Sequence, residues 1–377
     1  MALNLDAAGR TIGPLTKEYT QKDVILYALG VGAGSEELDL VFEKELKVLP
    51  SFAVPAVFDF LSEVALQSNI NLAGMLHGEQ DLVFHRPLPS QGTLQTTGRI
   101  TDFFDLGADK GALIRAEGVT GDAEGKKLFT NRVTIFARLD GGFGGRRPPR
   151  QEVVIPDRAP DWVVPDHPST DQPLLYRLSG DRFALHVDPE FARKAGFERP
   201  IMHGLCTHGF ACRACVNSLV PGKPEQVRRF ACRFSKPLYP GIPIETRIWK
   251  TAPEEAVWRV LNAETGEVVI DQGIFAYGDL DTCILFTDQV VVITGAGGGL
   301  GRAYALELAA RGARVVVNDF GGARDGSDPG AQTPAREVVQ EIEAAGGIAV
   351  ANTESVASPE GAQKIISTAL EHFGRVD

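Results

Sequence analysis

Asp181 and His186 stand five positions apart in Y-R-L-S-G-D-R-F-A-L-H (Tyr176–His186). A neighbouring carboxylate and imidazole can hold one water between them and share its protons. Shortly after comes P-I-M-H-G-L-C-T-H-G, where Gly204 opens a helical pattern. A helix N-terminus presents unpaired N–H donors and a favourable dipole to an oxygen that gathers negative charge. A glycine there lets the backbone approach a ligand closely. The three parts together suit addition of water to a double bond conjugated to a carbonyl. Plainer readings stay open: Asp181 follows Ser-Gly and suits a turn, and His186 suits a surface position beside Asp188. The residue types alone lean towards these plainer readings.

A second constellation lies in V-V-V-I-T-G-A-G-G-G-L-G, with Thr294, Gly295, Gly299 and Gly301 in a T-G-x-x-x-G-x-G pattern. Glycines there allow a tight turn and close approach of a pyrophosphate. The pattern follows a strand-like run and opens a helical one, which is the context that gives it meaning. Asp319 ends the next strand-like run, V-V-V-N-D. An acid there accepts bonds from a ribose 2′-OH and repels a 2′-phosphate, so NAD is expected over NADP.

The elements that must position these residues are legible from periodicity. Val54–Ser68 carries apolar residues at helical spacing (Val57, Phe60, Leu61, Val64, Ala65), and alternating strand-like runs follow to about residue 140. Residues 141–173, dense in Gly and Pro, predict a long surface linker. Residues 174–280 repeat the order: a helix over R-P-I-M-H-G-L-C-T-H-G-F, with Pro200 near its first turn, then strands. Helix then sheet, twice, predicts an internal duplication, each half a helix wrapped by a curved antiparallel sheet. From Thr287 to Asp377 the runs read β-α-β-α-β-α, the first half of a doubly wound parallel sheet.

The net charge of −11 argues against nucleic acid as the main partner, because backbone binding needs a basic face. An anionic ligand such as a nucleotide or a CoA thioester would need local cations; Arg146-Arg147, Arg228-Arg229, Arg233 and Lys236 are candidates. Apolar runs are too short and interrupted for a membrane span. The start lacks a secretory pattern and the end lacks a peroxisomal address. Five cysteines without a disulfide frame suit a reducing cytoplasm. Cys212 and Cys215, a lone C-x-x-C in a helical pattern, read as buried helix residues. His203 and His208 share no helical face well, so packing or pocket lining is expected and no metal.

The segments S-G-D-R-F-A-L-H-V-D-P and A-G-F-E-R-P-I-M-H-G-L-C-T resemble the hydratase 2 (MaoC-like) family. The resemblance is strongest to the hydratase part of multifunctional enzymes type 2. Y-T-Q-K-D-V-I-L-Y-A-L-G-V-G-A-G, M-L-H-G-E-Q-D-L-V-F-H-R-P-L-P and D-G-G-F-G-G extend it over roughly residues 10–275. It implies a double hot-dog fold with an acyl pocket in the N-terminal half and catalysis in the C-terminal half. It implies Asp181 and His186 as acid/base pair, the Gly204 N–H as oxyanion donor, and Phe183 and His203 at the substrate. The reaction implied is (R)-specific hydration of trans-2-enoyl-CoA, by a homodimer and without a cofactor. M-L-H-G-E-Q resembles the equivalent helix end of the first half; without an Asp/His dyad of its own, His77 and Glu79 read as structural.

The sequence departs from the family at Phe183-Ala184, where relatives carry Asn-Pro. Phe183 has no polar group to hold water, and its ring beside the site would raise the Asp181 pKa by desolvation. Altered specificity for a bulkier or branched acyl chain is expected, with an acyl-CoA-binding protein of weak or lost catalysis as the alternative. G-R-A-Y-A-L-E-L-A-A-R-G-A-R-V-V-V-N-D-F-G-G resembles short-chain dehydrogenases, which implies Glu354, Ser355 and Val356 beside an adenine. The sequence stops before that family's N-N-A-G strand, catalytic Ser and Tyr-x-x-x-Lys. An incomplete NAD-binding segment is therefore expected, with V-V-V-I-T at an uncovered sheet edge and no dehydrogenase activity from this chain alone. A fragment of a bifunctional hydratase/(3R)-hydroxyacyl-CoA dehydrogenase is a third reading.

Overall fold

The structure is a computed structural model that describes residues 2–149, 153–279, 286, 289–321 and 333–377. Leu280, Thr287 and Asp288, at the expected domain and strand boundaries, lie outside these residues. The chain divides into two units, Met1–Leu280 and Asp281–Asp377.

The helices of the first unit are α1 (Gln21–Gly30), α2 (Leu38–Val41), α3 (Ala53–Ala56), α4 (Phe58–Ser68), α5 (Gln172–Tyr176), α6 (Pro189–Lys194) and α7 (Gly204–Leu219). Its strands are β1 (Thr11–Tyr19), β2 (Met75–Phe84), β3 (Gly92–Gly107), β4 (Gly111–Gly121), β5 (Lys127–Ala137), β6 (Trp162–Asp166), β7 (Val227–Phe234), β8 (Ile244–Ala252), β9 (Glu255–Asn262) and β10 (Val268–Tyr277). They form one ten-stranded sheet in the order β1-β3-β4-β5-β2-β7-β10-β9-β8-β6. The order is the same on each side of the central β2–β7 pair, so the predicted duplication is present in the pairing itself. This is the double hot-dog arrangement.

Each half wraps one helix. α4 lays Phe60, Val64 and Ala65 against Ile100, Ile114 and Val133 of its own half. α7 is buried on almost every side, through Leu205, Cys206, Phe210, Cys212, Cys215 and Val216. It lacks the single apolar stripe expected, because α1 and the loop after it cover the flank opposite the sheet. Cys206 Sγ donates to the Gly30 carbonyl at 3.3 Å, and Arg213 Nε donates to the Val31 carbonyl at 3.2 Å. Cys212 and Cys215 are free and fully buried here.

Four local readings are corrected. The helix expected over Val54–Ser68 breaks at Val57, so that α3 and α4 are separate. M-L-H-G-E-Q is the start of strand β2, not a helix end. Pro200 precedes α7, which starts at Gly204; the Met202 N–H bonds the Leu238 carbonyl at 2.7 Å instead of joining a helix. The stretch read as linker contains β6, the counterpart of β1, which pairs with β8 through Trp162↔Ile248 to Asp166↔Ile244.

The second unit holds β11 (Val290–Thr294), α8 (Gly299–Ala310), β12 (Arg314–Asn318), α9 (Thr333–Ala344), β13 (Ile348–Asn352) and α10 (Pro359–Phe373). The strands are parallel in the order β11-β12-β13, a partial Rossmann sheet with β11 at an edge. The start of that edge is not bare: the Asp377 N–H bonds the Val290 carbonyl, and its carboxylate accepts the Val290 N–H, both at 2.9 Å.

Candidate active site

A cavity of about 1070 Å³ opens between α4 and the loop before α7. Phe58, Leu61, Ala65 and Leu66 of α4 form one wall; Asp181, Phe183, His186 and Gly204 lie on another. The sequence separates these two groups by more than a hundred positions, and the sheet brings them together.

The chain reaches Asp181 through α5 and a short turn that ends at Gly180, whose φ of 144° is accessible to glycine. Asp181 is 8% exposed, and its Oδ1 accepts the Phe183 N–H at 3.2 Å. Ala184–His186 form a 3-10 turn, and the Asp188 N–H closes it on the Ala184 carbonyl at 2.8 Å. The turn therefore forms with Ala184 in place of the Pro that the family resemblance predicts. The Phe183 ring packs edge-on against Phe191 (5.2 Å) and towards His186 (6.2 Å). It joins an apolar cluster with Leu185, Ala192 and Ile201.

His186 Nδ1 lies 2.9 Å from the Ile201 carbonyl. A carbonyl only accepts, so Nδ1 carries the proton and Nε2 of the neutral ring keeps its lone pair. Burial pushes the Asp181 carboxyl up, opposed by His186 and by the Phe183 N–H. Burial pulls the His186 imidazole down, opposed by the Asp181 carboxylate and the Ile201 carbonyl. The two groups titrate as one pair.

Gly204 is the first residue of α7, so its N–H has no partner within the helix. A Cβ there would stand 3.0 Å from the Phe234 ring. The position is thus held small by its own packing as well as by any ligand.

His203 is corrected from a cavity residue to one layer behind. It is 1% exposed, and its ring stacks on His186 at 3.8 Å with 27° between planes. His208, at 1% exposure, packs instead against Phe230 at 4.5 Å. Asp181, His186 and His203 each place a potential metal-ligating atom within 4.8 Å of the others. One nitrogen of each ring is committed to a backbone carbonyl, His186 Nδ1 to Ile201 and His203 Nε2 to Asp181, an arrangement that suits an acid/base constellation.

The cationic candidates are mostly occupied. Arg229 pairs with Asp81 at 2.9 Å and Arg233 with Glu79 at 2.7 Å, across the β2–β7 seam. Arg228 pairs with Glu254, and Arg146 with Asp102. Lys236 pairs with Glu267 but also lines the cavity, as does the exposed Arg182. Sequence reasoning missed Arg182, Tyr176 and the Ile201 carbonyl, since no spacing signals them. It also missed why D-G-G-F-G-G matters: the buried Asp105 carboxylate accepts the Gly142 and Gly144 N–H groups, pinning that loop.

In the second unit the expected nucleotide residues gather at the C-terminal ends of the parallel strands, where such folds bind ligands. Gly295 (φ 66°) and Gly299 (φ 54°) adopt left-handed backbone beside open space. A Cβ on Gly301 would meet the Gly295 carbonyl at 2.3 Å, so Gly301 lets α8 sit against the turn. Asp319 is already engaged: Oδ2 accepts the Gly297 N–H and Oδ1 the Gly321 N–H, both at 2.8 Å. Each oxygen retains a further lone pair. Glu354 pairs with Lys364, Ser355 Oγ accepts the Ala357 N–H, and Val356 is exposed. Asn318 and Asn352, not singled out in the sequence, bond side chain to side chain at 2.8 Å and tie β12 to β13.

Residues 18–139 match the MFE-2 hydratase 2 N-terminal domain, residues 152–272 the MaoC like domain, and residues 289–377 short chain dehydrogenase. The 3-hydroxyacyl-thioester dehydratase Y of Mycobacterium tuberculosis is 40% identical over 288 residues, 74% of this chain and 99% of that protein. The enoyl-CoA hydratase ChsH3 of the same organism is 40% identical over 260 residues, 66% of this chain and 90% of that one. A MaoC-like dehydratase from Phytophthora capsici superposes with a TM-score of 0.66 at 32% identity, over 73% of this chain and 98% of that structure. Over its first unit the chain belongs to the MaoC-like hydratase 2 family, and it continues into short-chain dehydrogenase sequence.

Proposed function

We propose that the chain is an (R)-specific 2-enoyl-CoA hydratase, which adds water to trans-2-enoyl-CoA to give (3R)-3-hydroxyacyl-CoA and runs the reverse dehydration. The observation that carries this reading is the joint placement of Asp181, His186 and Gly204 on one cavity. The activities named for the relatives, dehydration of 3-hydroxyacyl thioesters and hydration of enoyl-CoA, agree with it.

Ionised Asp181 and the Nε2 lone pair of neutral His186 hold one water. One of them takes its proton as the oxygen bonds to C3. The pair returns a proton to C2, so it ends as it began. Charge gathers meanwhile on the thioester oxygen, where the Gly204 N–H and the α7 dipole stabilise it. Because hydration needs Asp181 ionised and His186 neutral, activity falls as pH drops through the values of the pair.

The acyl chain runs along α4, whose apolar wall continues to Leu72 and Met75. Lys236 and Arg182 offer cations to the CoA phosphates. A cavity this large suits a long, branched or polycyclic acyl group. Thioester absorbance should show kcat/KM for long or bulky enoyl-CoAs at least about tenfold above that for crotonyl-CoA. Equal rates across the series would remove the size preference; binding of every thioester without hydration would make the chain an acyl-CoA-binding protein.

For residues 289–377 we propose NAD as ligand, with Asp319 facing the ribose. The supporting observation is the pair of left-handed glycines beside open space at the end of β11. Titration of the whole chain should show NAD bound about tenfold more tightly than NADP. Equal affinities would count against Asp319.

A further inference from the structure

We propose that His203 is a positioning residue for the proton-transfer pair: its Nε2–H holds the Asp181 backbone carbonyl while its ring face fixes the His186 imidazole. The inference rests on the hydratase reading above.

His203 Nε2 lies 3.2 Å from the Asp181 carbonyl, so Nε2 carries the proton. Nδ1 is buried without a partner. A lone pair is tolerable there, but a protonated Nδ1 would be a buried, unpaired donor costing the full desolvation of that group. The charged and titratable groups around it point the same way. Burial comes first, then His186, then Arg177, and together they pull His203 down to about 2, opposed only by the Asp181 carbonyl. Tyr176 covers His203 at 4.9 Å and is held as the neutral phenol by burial. Cys206, on the next turn, is a buried neutral thiol. Burial and the partnerless Nδ1 thus both favour the neutral ring at His203.

Tyr176, His203 and His186 form a run of rings that ends at the cavity. The last ring is held at both levels: Ile201 fixes its tautomer, and His203 fixes its tilt and keeps water from its back. The same His203 ring pins the backbone of Asp181. One side chain thus sets the distance between the two partners. A residue that only filled space would not need a donor at Nε2.

Two variants separate the two contacts. His203→Gln keeps an N–H donor but removes the ring; His203→Phe keeps a ring but removes the donor. With His203→Gln, water reaches His186, whose pKa rises towards its ordinary value; the acid limb of kcat/KM therefore moves to higher pH. With His203→Phe, the acid limb stays and kcat falls about 10- to 100-fold, because Asp181 is no longer held. Circular dichroism and melting establish that each variant folds. Ring NMR of His186 reads its titration without turnover, so the inference is tested even if the wild-type chain hydrates nothing. In that case the hydratase reading fails, while a raised His186 pKa in His203→Gln still supports the positioning. An unmoved His186 titration in His203→Gln, or a His203→Phe enzyme within twofold of wild type, overturns it.

Discussion

Asp181→Asn and His186→Ala are each expected to lower kcat for enoyl-thioester hydration by about 10³-fold, the scale of a lost general acid or base. Both groups lie on the cavity and titrate as one pair, so neither substitution leaves a working half. The Phe183 N–H, which Asp181 accepts at 3.2 Å, can be accepted equally by the amide oxygen of Asp181→Asn, so the loop keeps its shape. Burial of the carboxyl is costly, so Asp181→Asn should melt at or above the wild-type temperature. The measurement is thioester absorbance with a bulky enoyl-CoA, beside circular dichroism of each variant. Turnover within tenfold of wild type in a folded variant would sink the assignment of that residue. Residual activity with unchanged KM is the expected pattern, because neither side chain holds the acyl chain.

Arg213→Met is expected to cost about 3–5 kcal/mol of stability near neutral pH, the scale of breaking a buried ion cluster. Arg213 reaches from α7 to Glu37 at 2.8 Å and to Asp166 at the end of β6. The three side chains are only 13%, 15% and 12% exposed, so solvent screens them weakly. Removing the cation leaves two buried carboxylates facing one another. Burial already raises Asp166 above its ordinary value, outweighing Arg213, and Glu37 adds to the rise. A carboxyl whose folded pKa is raised is most stabilising when protonated, and that contribution is lost as pH climbs through the folded value. The deficit of Arg213→Met should therefore shrink as pH falls through the raised Asp166 value. Denaturant unfolding across pH checks both the size and the sign. A loss below about 1 kcal/mol, typical of exposed pairs, would show the cluster to be solvated. Since Arg213 joins α7 to β6 and to the segment after α1, the same variant also tests whether those elements hold the site together.

Several strands were readable because their burial alternates; β4 and the second half of β2 are examples. β6 was not, since five residues in a Pro-rich stretch carry too little pattern, and its partner β8 lies about 80 positions away. The break at Val57 was invisible for a similar reason: α3 and α4 continue one apolar spacing across it. α7 misled by one turn, because Pro200 suits a first helical position, yet the Met202 N–H finds the carbonyl of Leu238, far along the same chain, at 2.7 Å.

The motifs carried the family resemblance, and that resemblance, not the residue types alone, pointed to Asp181 and His186 as a pair; spacing also marked the glycine near the head of the helix and the parallel character of the last unit. Each is a local fact: a motif, an alternation, or a helix start. Tertiary structure alone decided that the ten strands form one sheet, that α4 faces Asp181 across a cavity, that Arg229 and Arg233 of β7 are spent on β2, and that His203 lies behind His186. Those outcomes depend on contacts between positions far apart in the chain. No window of sequence contains both partners, and only folding brings an imidazole at 203 onto the face of one at 186.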